Sequence, residues 1–411
     1  MNKTICELFA GVGGFRLGFD RLASDWQTVW FSQWEPGKTK QWAHDCYVQH
    51  FGDRPDVNGE YHTGEDISTV SKENIPDHTL LVGGFPCQDY SVAHTLASSK
   101  GIEGKKGVLW WQIRDTLIAK KPPFVLLENV DRLLKSPASQ RGRDFGVILA
   151  CFAELGYSVE WRVVNAAQYG AAQRRRRTFI FAYKTNETKY GQSVKNVAPE
   201  DIIKSKGFMV TTFPITDTED FKKTSVGTDI VEVSDHFSFP FENAGYMKNG
   251  AIITAKVIED AEQPIILEKI LETDYVDQKY FIPSDKMEKW SYLKGAKKIN
   301  RTAANGHQYV FSEGPVAFPD SWDRPGRTML TSESTLNRST HVVADRKTGS
   351  LRLLTPVEAE RLQGFDDNWT NTGMPDRMRY FCMGNALVVP MITRMGKVLD
   401  KIIELENKGT E

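Results

Sequence analysis

The chain has 411 residues, 40% of them hydrophobic and 26% charged, with a formal net charge of −1; this is the profile of a soluble globular protein long enough for two domains. No apolar run approaches the ~18 residues of a membrane helix, and Glu7 interrupts the N-terminal stretch MNKTICELFAG, so no signal peptide is expected there. Cys6, Cys46, Cys87, Cys151 and Cys382 are scattered without a C-x-x-C pair, which argues against a disulfide framework or zinc site and makes the cytoplasm the default location.

Taken in chain order, short apolar runs alternate with segments of helical period. Strands are predicted at 4–9, 28–34, 79–85, 124–130, 158–166 and 178–183, and helices at 14–24, 38–50, 107–120 and 143–155. Such alternation predicts an α/β fold with a doubly wound, mostly parallel sheet of Rossmann-like type. Ligands of such sheets bind beyond the carboxyl ends of the strands.

The first strand runs into ELFAGVGGFRLGF, a glycine-rich turn that lets a ligand approach the backbone. It does not match G-x-G-x-x-G, because Arg16 stands where the last glycine belongs, so a nicotinamide cofactor is disfavoured. Glu35 after the second strand suits a ribose diol, and Asp66-Ile67 can reach an adenine amino group. A nucleoside-type cofactor is the economical reading.

The third strand ends in GGFPCQDYS. Apolar packing has no need of Pro86 before Cys87 or of the polar residues after it. A sharply turned backbone at a strand end instead suits a nucleophile, provided that the thiol, ~3% ionised at neutral pH by itself, is activated. Glu128 and Asn129 stand where the fourth strand leaves the sheet, and a carboxylate there is partly desolvated and suited to acid chemistry. Four arginines, Arg174 to Arg177, precede the sixth strand; strand alternation would send Arg175 and Arg177 one way and Arg174 and Arg176 the other.

After about residue 186 the rhythm fades into polar sequence with aromatics and turn signals such as NAGYMKNG, which predicts a second, smaller, irregular domain. Lys286, Lys289, Lys294, Lys297, Lys298 and Arg301 form a basic block around Trp290 and Tyr292. It reads either as a nucleic-acid contact or as a solvated helix face. Apolar residues at helical spacing return from Val388 to Ile403, with Pro390 placed for a first turn.

In this order, FAGVGG, GGFPCQ, ENV, QRRRR, RLLTPVEAERLQGF and MGNALVVPM resemble the signature of bacterial DNA (cytosine-5)-methyltransferases of the restriction–modification type. The resemblance covers 4–185 and about 350–400. It implies transfer of a methyl group from S-adenosylmethionine, leaving S-adenosylhomocysteine, to carbon 5 of a cytosine flipped out of a specific double-stranded DNA sequence. Cys87 would be the nucleophile, Glu128 would act at ring nitrogen 3, and Arg177, supported by Arg175, would hold the cytosine carbonyl. Cofactor contacts would fall on Phe9, Gly11, Gly14, Glu35, Asp66, Ile67, Pro86, Leu109, Asn385 and Ala386. No metal is implied. Relatives often carry an aromatic after the ribose-binding acid; here Pro36 follows Glu35 and Trp34 precedes it, so the adenine-stacking residue is left open.

The resemblance also implies a catalytic domain of 1–187 completed by 350–411, and a target-recognition domain of 188–349. DNA contacts are expected from Ser91, Lys100, Lys105 and Lys106 in a loop closing over the flipped base, and from Lys294, Lys297 and Lys298. Base readers are sought in TAKV (254–257) and TSESTLNRST (331–340). The expected working form is a monomer away from membranes, with any cognate restriction endonuclease acting separately. An RNA cytosine methylase and a catalytically inactive DNA-binding subunit are the rival readings. Phe85-Pro86-Cys87, where the tRNA-modifying relative has Pro-Pro-Cys, disfavours the first, and the retained Cys87, Glu128 and arginines disfavour the second.

Overall fold

The continuous apolar runs of the N-terminal half become central strands: β1 (Thr4–Leu8), β2 (Gln27–Ser32), β3 (Leu80–Gly84), β4 (Phe124–Val130), β5 (Tyr157–Asn165) and β6 (Arg176–Lys184). The computed structural model describes residues 1–85, 109–303 and 306–409. Strands β2, β1, β3 and β4 lie side by side and parallel, and β6 and β5 follow in antiparallel pairing. Burial on both faces explains their unbroken apolar sequences: Leu80, Leu81, Val82, Phe124, Val125, Leu126 and Leu127 are all fully buried. Helices α1 (Gly14–Asp20), α2 (Trp42–Phe51), α3 (Leu109–Lys120) and α4 (Arg143–Glu154) connect the strands near the expected positions. Chain order reverses between β1 and β3, which makes their carboxyl ends the switch point of the sheet.

Three strands from the stretch expected to be the irregular domain extend this sheet: β7 (Ile215–Ser225), β8 (Ala244–Lys248) and β9 (Ala251–Glu259). β8 pairs with β5, β9 with β8, and β7 with β9, all antiparallel. The β8–β9 link is Asn249-Gly250 with φ of 50° and 80°, the two-residue hairpin turn for which Asn-Gly is the strongest short signal. The turn agrees with the signal in NAGYMKNG, and the strands that flank it are AGYMK and AIITAKVIE.

The chain separates into two compact units, and these do not follow the expected boundaries. The first comprises Met1–Tyr169, Arg176–Gln263 and Val389–Glu411; the second comprises Gly170–Arg175 and Pro264–Val388. Residues 188–263 belong to the first unit because β7, β8 and β9 hydrogen-bond into its sheet.

The second unit holds β10 (Lys297–Thr302) paired with β11 (Gln308–Glu313), β12 (Val342–Ala344) paired with β13 (Leu351–Leu353), and helices α5 (Met287–Lys294), α6 (Pro356–Gln363) and α7 (Asp376–Asn385). Its anchor is the fully buried Arg352, whose two Nη atoms donate to Glu358 at 2.7 Å each. Glu358 also closes a capping box with Thr355 at the start of α6. This ion-pair network holds 350–363 in the second unit, whereas the last helix, α8 (Val389–Asn407), packs in the first. There Thr393 Oγ1 donates to Gly18 O at 2.8 Å. A side chain at Gly18 would strike Ile392, since its Cβ would lie 2.5 Å from that residue's Cβ.

Candidate active site

The turn after β1 is built by main-chain geometry. Phe9, Gly11 and Gly13 have φ of 57°, 57° and 87°, and Ala10 N and Gly13 N bond Ser32 O and Ala10 O at 2.9 Å. A Cβ on Gly13 would sit 2.5 Å from the Phe51 ring, while one on Gly11 would meet nothing within 4 Å. The turn is therefore packed behind and open at Gly11. Gln33 is almost fully buried; its side-chain Oε1 accepts from Gly11 N at 2.7 Å, and its main-chain N–H donates to Thr63 O at 2.8 Å. Gln33 is not among the expected cofactor contacts, because a glutamine after a strand carries no distinctive signal.

Glu35 is half-buried just beyond β2, with its N–H donating to Gln41 Oε1 at 2.7 Å. Asp66 Oδ1 accepts from Ser68 N at 2.9 Å, and Ile67 is buried in the core. Leu109 opens α3 and packs against the same core cluster. Trp34 is 38% exposed beside Glu35. These residues suit a nucleoside: an open glycine turn, a carboxylate for a diol and a carboxylate beside an apolar contact.

A buried carboxyl supports the turn from behind. Glu7, on β1, is fully buried and accepts from Tyr47 Oη at 3.0 Å. Burial pushes its pKa up to about 8 against the opposing pull of Tyr47 and Arg16.

At the adjoining strand ends, β3 pairs with β4 so that Gly84 stands opposite Glu128. A Cβ on Gly84 would come within 3.3 Å of Glu128 Oε2, and one on Gly83 within 2.8 Å of Leu8 O. The two glycines thus let β1, β3 and the carboxylate crowd together. Glu128 Oε1 meets Arg177 Nε at 2.7 Å, with only 13% and 17% of the two side chains exposed. Arg177 arrives through the register of β6, where it faces Val130 of β4. Asn129 is fully buried; its Nδ2 donates to Phe85 O at 2.7 Å and its Oδ1 accepts from Val130 N at 2.8 Å. That side chain clamps the main chain one residue before Pro86. Pro86, Cys87, Ser91, Lys100, Lys105 and Lys106 lie outside the described residues.

β6 begins only at Arg176, so strand alternation does not extend back to Arg175. The buried Arg175 guanidinium instead donates to Met329 O at 2.9 Å and Gly384 O at 2.8 Å within the second unit. Asn385 ends α7 exposed and Ala386 follows half-buried, both in that unit.

The lysine block also divides. Lys294 is buried, its ammonium donating to Arg338 O at 3.0 Å and to Thr340 O, so it is not available to DNA. Lys297 is mostly covered, lying over the Tyr292 ring and 4.0 Å from Glu313, whereas Lys298 is exposed. The two expected reader segments differ in how far they are packed. Thr254, Ala255 and Val257 are buried in β9, and Lys256 pairs with Glu219 at 3.0 Å. In 331–340, the Asn337 side chain bonds Ser332 O, Thr335 Oγ1 and Thr340 Oγ1.

The sequence profile of the family described as "C-5 cytosine-specific DNA methylase" matches residues 3–401. The chain is 51% identical to the type II methyltransferase M.Sau3AI of Staphylococcus aureus, over 99% of this chain and 98% of that protein. It is 28% identical to the type II methyltransferase M.SsoII of Shigella sonnei, over 97% of this chain and 79% of the other. Among solved structures, the S. pombe Dnmt2 methyltransferase superposes with a TM-score of 0.59 at 14% identity, covering 99% of this chain and 100% of that one; at that identity the likeness concerns the fold.

Proposed function

The chain belongs to the C-5 cytosine-specific DNA methylase family, and from that premise we propose that it modifies a cytosine flipped out of a specific double-stranded DNA sequence through a transient bond to Cys87. It is a DNA cytosine-C5 methyltransferase of the type II restriction–modification kind. The observation that carries the finer reading is the 2.7 Å Glu128–Arg177 pair. It stands at the carboxyl end of β4, beside the strand whose sequence continues into Pro86-Cys87-Gln88.

The chemistry asked of the protein is specific. Carbon 5 of cytosine is too electron-poor to take a methyl group until a nucleophile adds at carbon 6. The Cys87 thiolate supplies that electron pair, forming a carbon–sulfur bond and pushing negative charge into the ring. Glu128 meets the charge with a proton or hydrogen bond at nitrogen 3, and Arg177 binds the carbonyl oxygen while keeping Glu128 oriented. Asn129 positions the nucleophile's strand end through Phe85 O. Carbon 5, now electron-rich, takes the methyl group, and loss of its proton then returns that C–H electron pair to the ring and expels the thiolate. S-adenosylmethionine, when bound, supplies the methyl group as an electrophilic sulfonium substituent. Phe9, Gly11, Gly14, Glu35, Asp66, Ile67, Pro86, Leu109, Asn385 and Ala386 are the residues proposed to hold it. Ser91, Lys100, Lys105 and Lys106 are proposed to meet DNA. Among the described residues no helix is long and apolar enough to cross a membrane. The proposed working form is a cytoplasmic monomer, with any cognate endonuclease acting independently.

Duplex DNA carrying 5-fluorocytosine tests the covalent step, because fluorine at carbon 5 leaves no proton to remove. The unaltered protein should form an adduct that survives denaturing electrophoresis, and Cys87→Ser should form none. Normal methylation by Cys87→Ala would overturn the mechanism.

A further inference from the structure

The ribbon formed by β10 and β11 has two unlike faces. The register pairs Lys297 with Glu313, Ile299 with Phe311 and Arg301 with Tyr309 on one face, and Lys298 with Ser312, Asn300 with Val310 and Thr302 with Gln308 on the other. The first face is partly covered: Ile299 and Phe311 are half-buried, and Arg301 lies 3.9 Å over the Phe311 ring. All six residues of the second face are exposed. It carries one cation, four neutral hydrogen-bonding side chains, one branched apolar side chain and no carboxylate. The exposed edge strand β7 is different, with Asp217, Glu219, Asp220, Lys222 and Lys223 mixed along it; mixed charge is the usual guard of a strand against stray pairing.

The root of the ribbon is fixed from within its own unit. Arg338 Nη1 donates to Leu293 O and Gly295 O at 3.1 Å before β10, and Nη2 donates to Gly314 O after β11. Val316 N bonds Lys294 O at 2.8 Å. A two-stranded hairpin by itself is marginal in water, so these anchors explain how so exposed a ribbon holds its register.

We propose that the Lys298–Asn300–Thr302–Gln308–Val310–Ser312 face enters the major groove of the target duplex and reads base edges. The inference rests on the DNA-methylating function and assigns the element that selects the sequence. A ribbon with strands ~4.8 Å apart matches a groove about 12 Å wide, which admits a two-stranded ribbon. The side chains suit its code: Asn and Gln bond adenine in bidentate fashion, Lys bonds guanine, and Val or a Thr methyl group meets thymine. Charge complementarity agrees, since Lys298 on this face has Ser312 and no carboxylate opposite it, while Lys297 on the other face has Glu313.

The experiment uses the full-length protein and a duplex library randomised around cytosine, with methylated products sequenced. Lys298→Met, Asn300→Ala and Gln308→Ala should each lower the preference for particular bases by about tenfold to a hundredfold at one or two positions. Turnover on the best sequence should change far less, and Lys256→Met on β9 should leave selectivity unchanged. Unaltered selectivity in all three ribbon variants, or an equal loss across all sequences, would overturn the assignment while the methyltransferase reading stands. If the unaltered protein methylated RNA and no DNA duplex, the functional reading itself would fall, and the ribbon assignment with it. A-form RNA has a major groove too deep and narrow for the ribbon.

Discussion

The strand ends around Glu128 and the outer face of the β10–β11 ribbon both present polar groups, but in opposite states of readiness. At the first, the carboxylate is held by Arg177 at 2.7 Å, and Asn129 bonds both Phe85 O and Val130 N. On the second, six side chains stand exposed in register. Bond-making chemistry is served by groups oriented before the substrate arrives, because reorganisation would add to the barrier. Sequence reading is served by donors and acceptors that a base edge can still claim.

The sharpest way to break this comparison is at Glu128. Glu128→Gln keeps the shape and can still meet Arg177, but it cannot deliver a proton. Turnover should fall by about 10²–10⁴-fold, while cofactor affinity measured by calorimetry stays within about threefold. A matching loss of affinity would mean that Glu128 shapes the cofactor site rather than the reacting base.

Behind that region lies Glu7, whose carboxyl burial pushes up to about 8. The folded protein therefore binds this proton more tightly than the unfolded chain does. The sign follows: Glu7 imposes no penalty below about pH 4.5, and stability falls as pH rises from there through about 8. Glu7→Gln should remove that slope, raising stability at pH 9 by an amount on the order of 5 kcal/mol relative to pH 4.5. Denaturant midpoints across pH measure it. An unchanged slope would show that Glu7 is ionised in the fold, and that the glycine turn rests on a charged pair with Arg16.

Arg175 sharpens the contrast between work done on the fold and work done on substrate. Arg175→Met leaves two buried carbonyls, Met329 O and Gly384 O, without these donors. It should cost about 2–4 kcal/mol of stability with near-normal turnover per folded molecule. Arg177→Met should do the reverse. Loss of turnover at full stability in Arg175→Met would restore its expected place beside the substrate.

Legibility followed the same division. The six N-terminal strands were readable because burial on both faces makes their sequences continuous apolar runs, and FAGVGG and ENV marked their ends. The Glu128–Arg177 pairing depended on the register of β4 with β6, which residue spacing does not encode. The β8–β9 hairpin went unread despite Asn249-Gly250, because AGYMK and AIITAKVIE sit in polar surroundings and join the sheet through tertiary pairing with β5. Gln33 and Arg175 illustrate a further limit. Each is defined by a main-chain group distant in sequence, so neither neighbours nor composition announce it.

The basic block gives the finest test, because two of its lysines looked alike in sequence. Burial lowers the Lys294 pKa to about 8, so the unfolded chain binds this proton more tightly. The penalty is full below pH 8, and stability recovers as pH rises from about 8 to 10.5. Lys294→Met should flatten that recovery and, by leaving Arg338 O without this donor and Thr340 O with Arg327 Nη2 alone, lower stability by about 1–3 kcal/mol. The salt dependence of DNA binding should not change. Lys298→Met should do the opposite: stability within about 0.5 kcal/mol, and a salt slope smaller by about 0.9 if the ammonium reaches a phosphate. If its ammonium is committed to a base edge instead, the slope changes less and the loss concentrates on sequences with guanine at one position. Measuring Kd against salt for two duplexes that differ at that base separates phosphate anchoring from base reading at a single side chain.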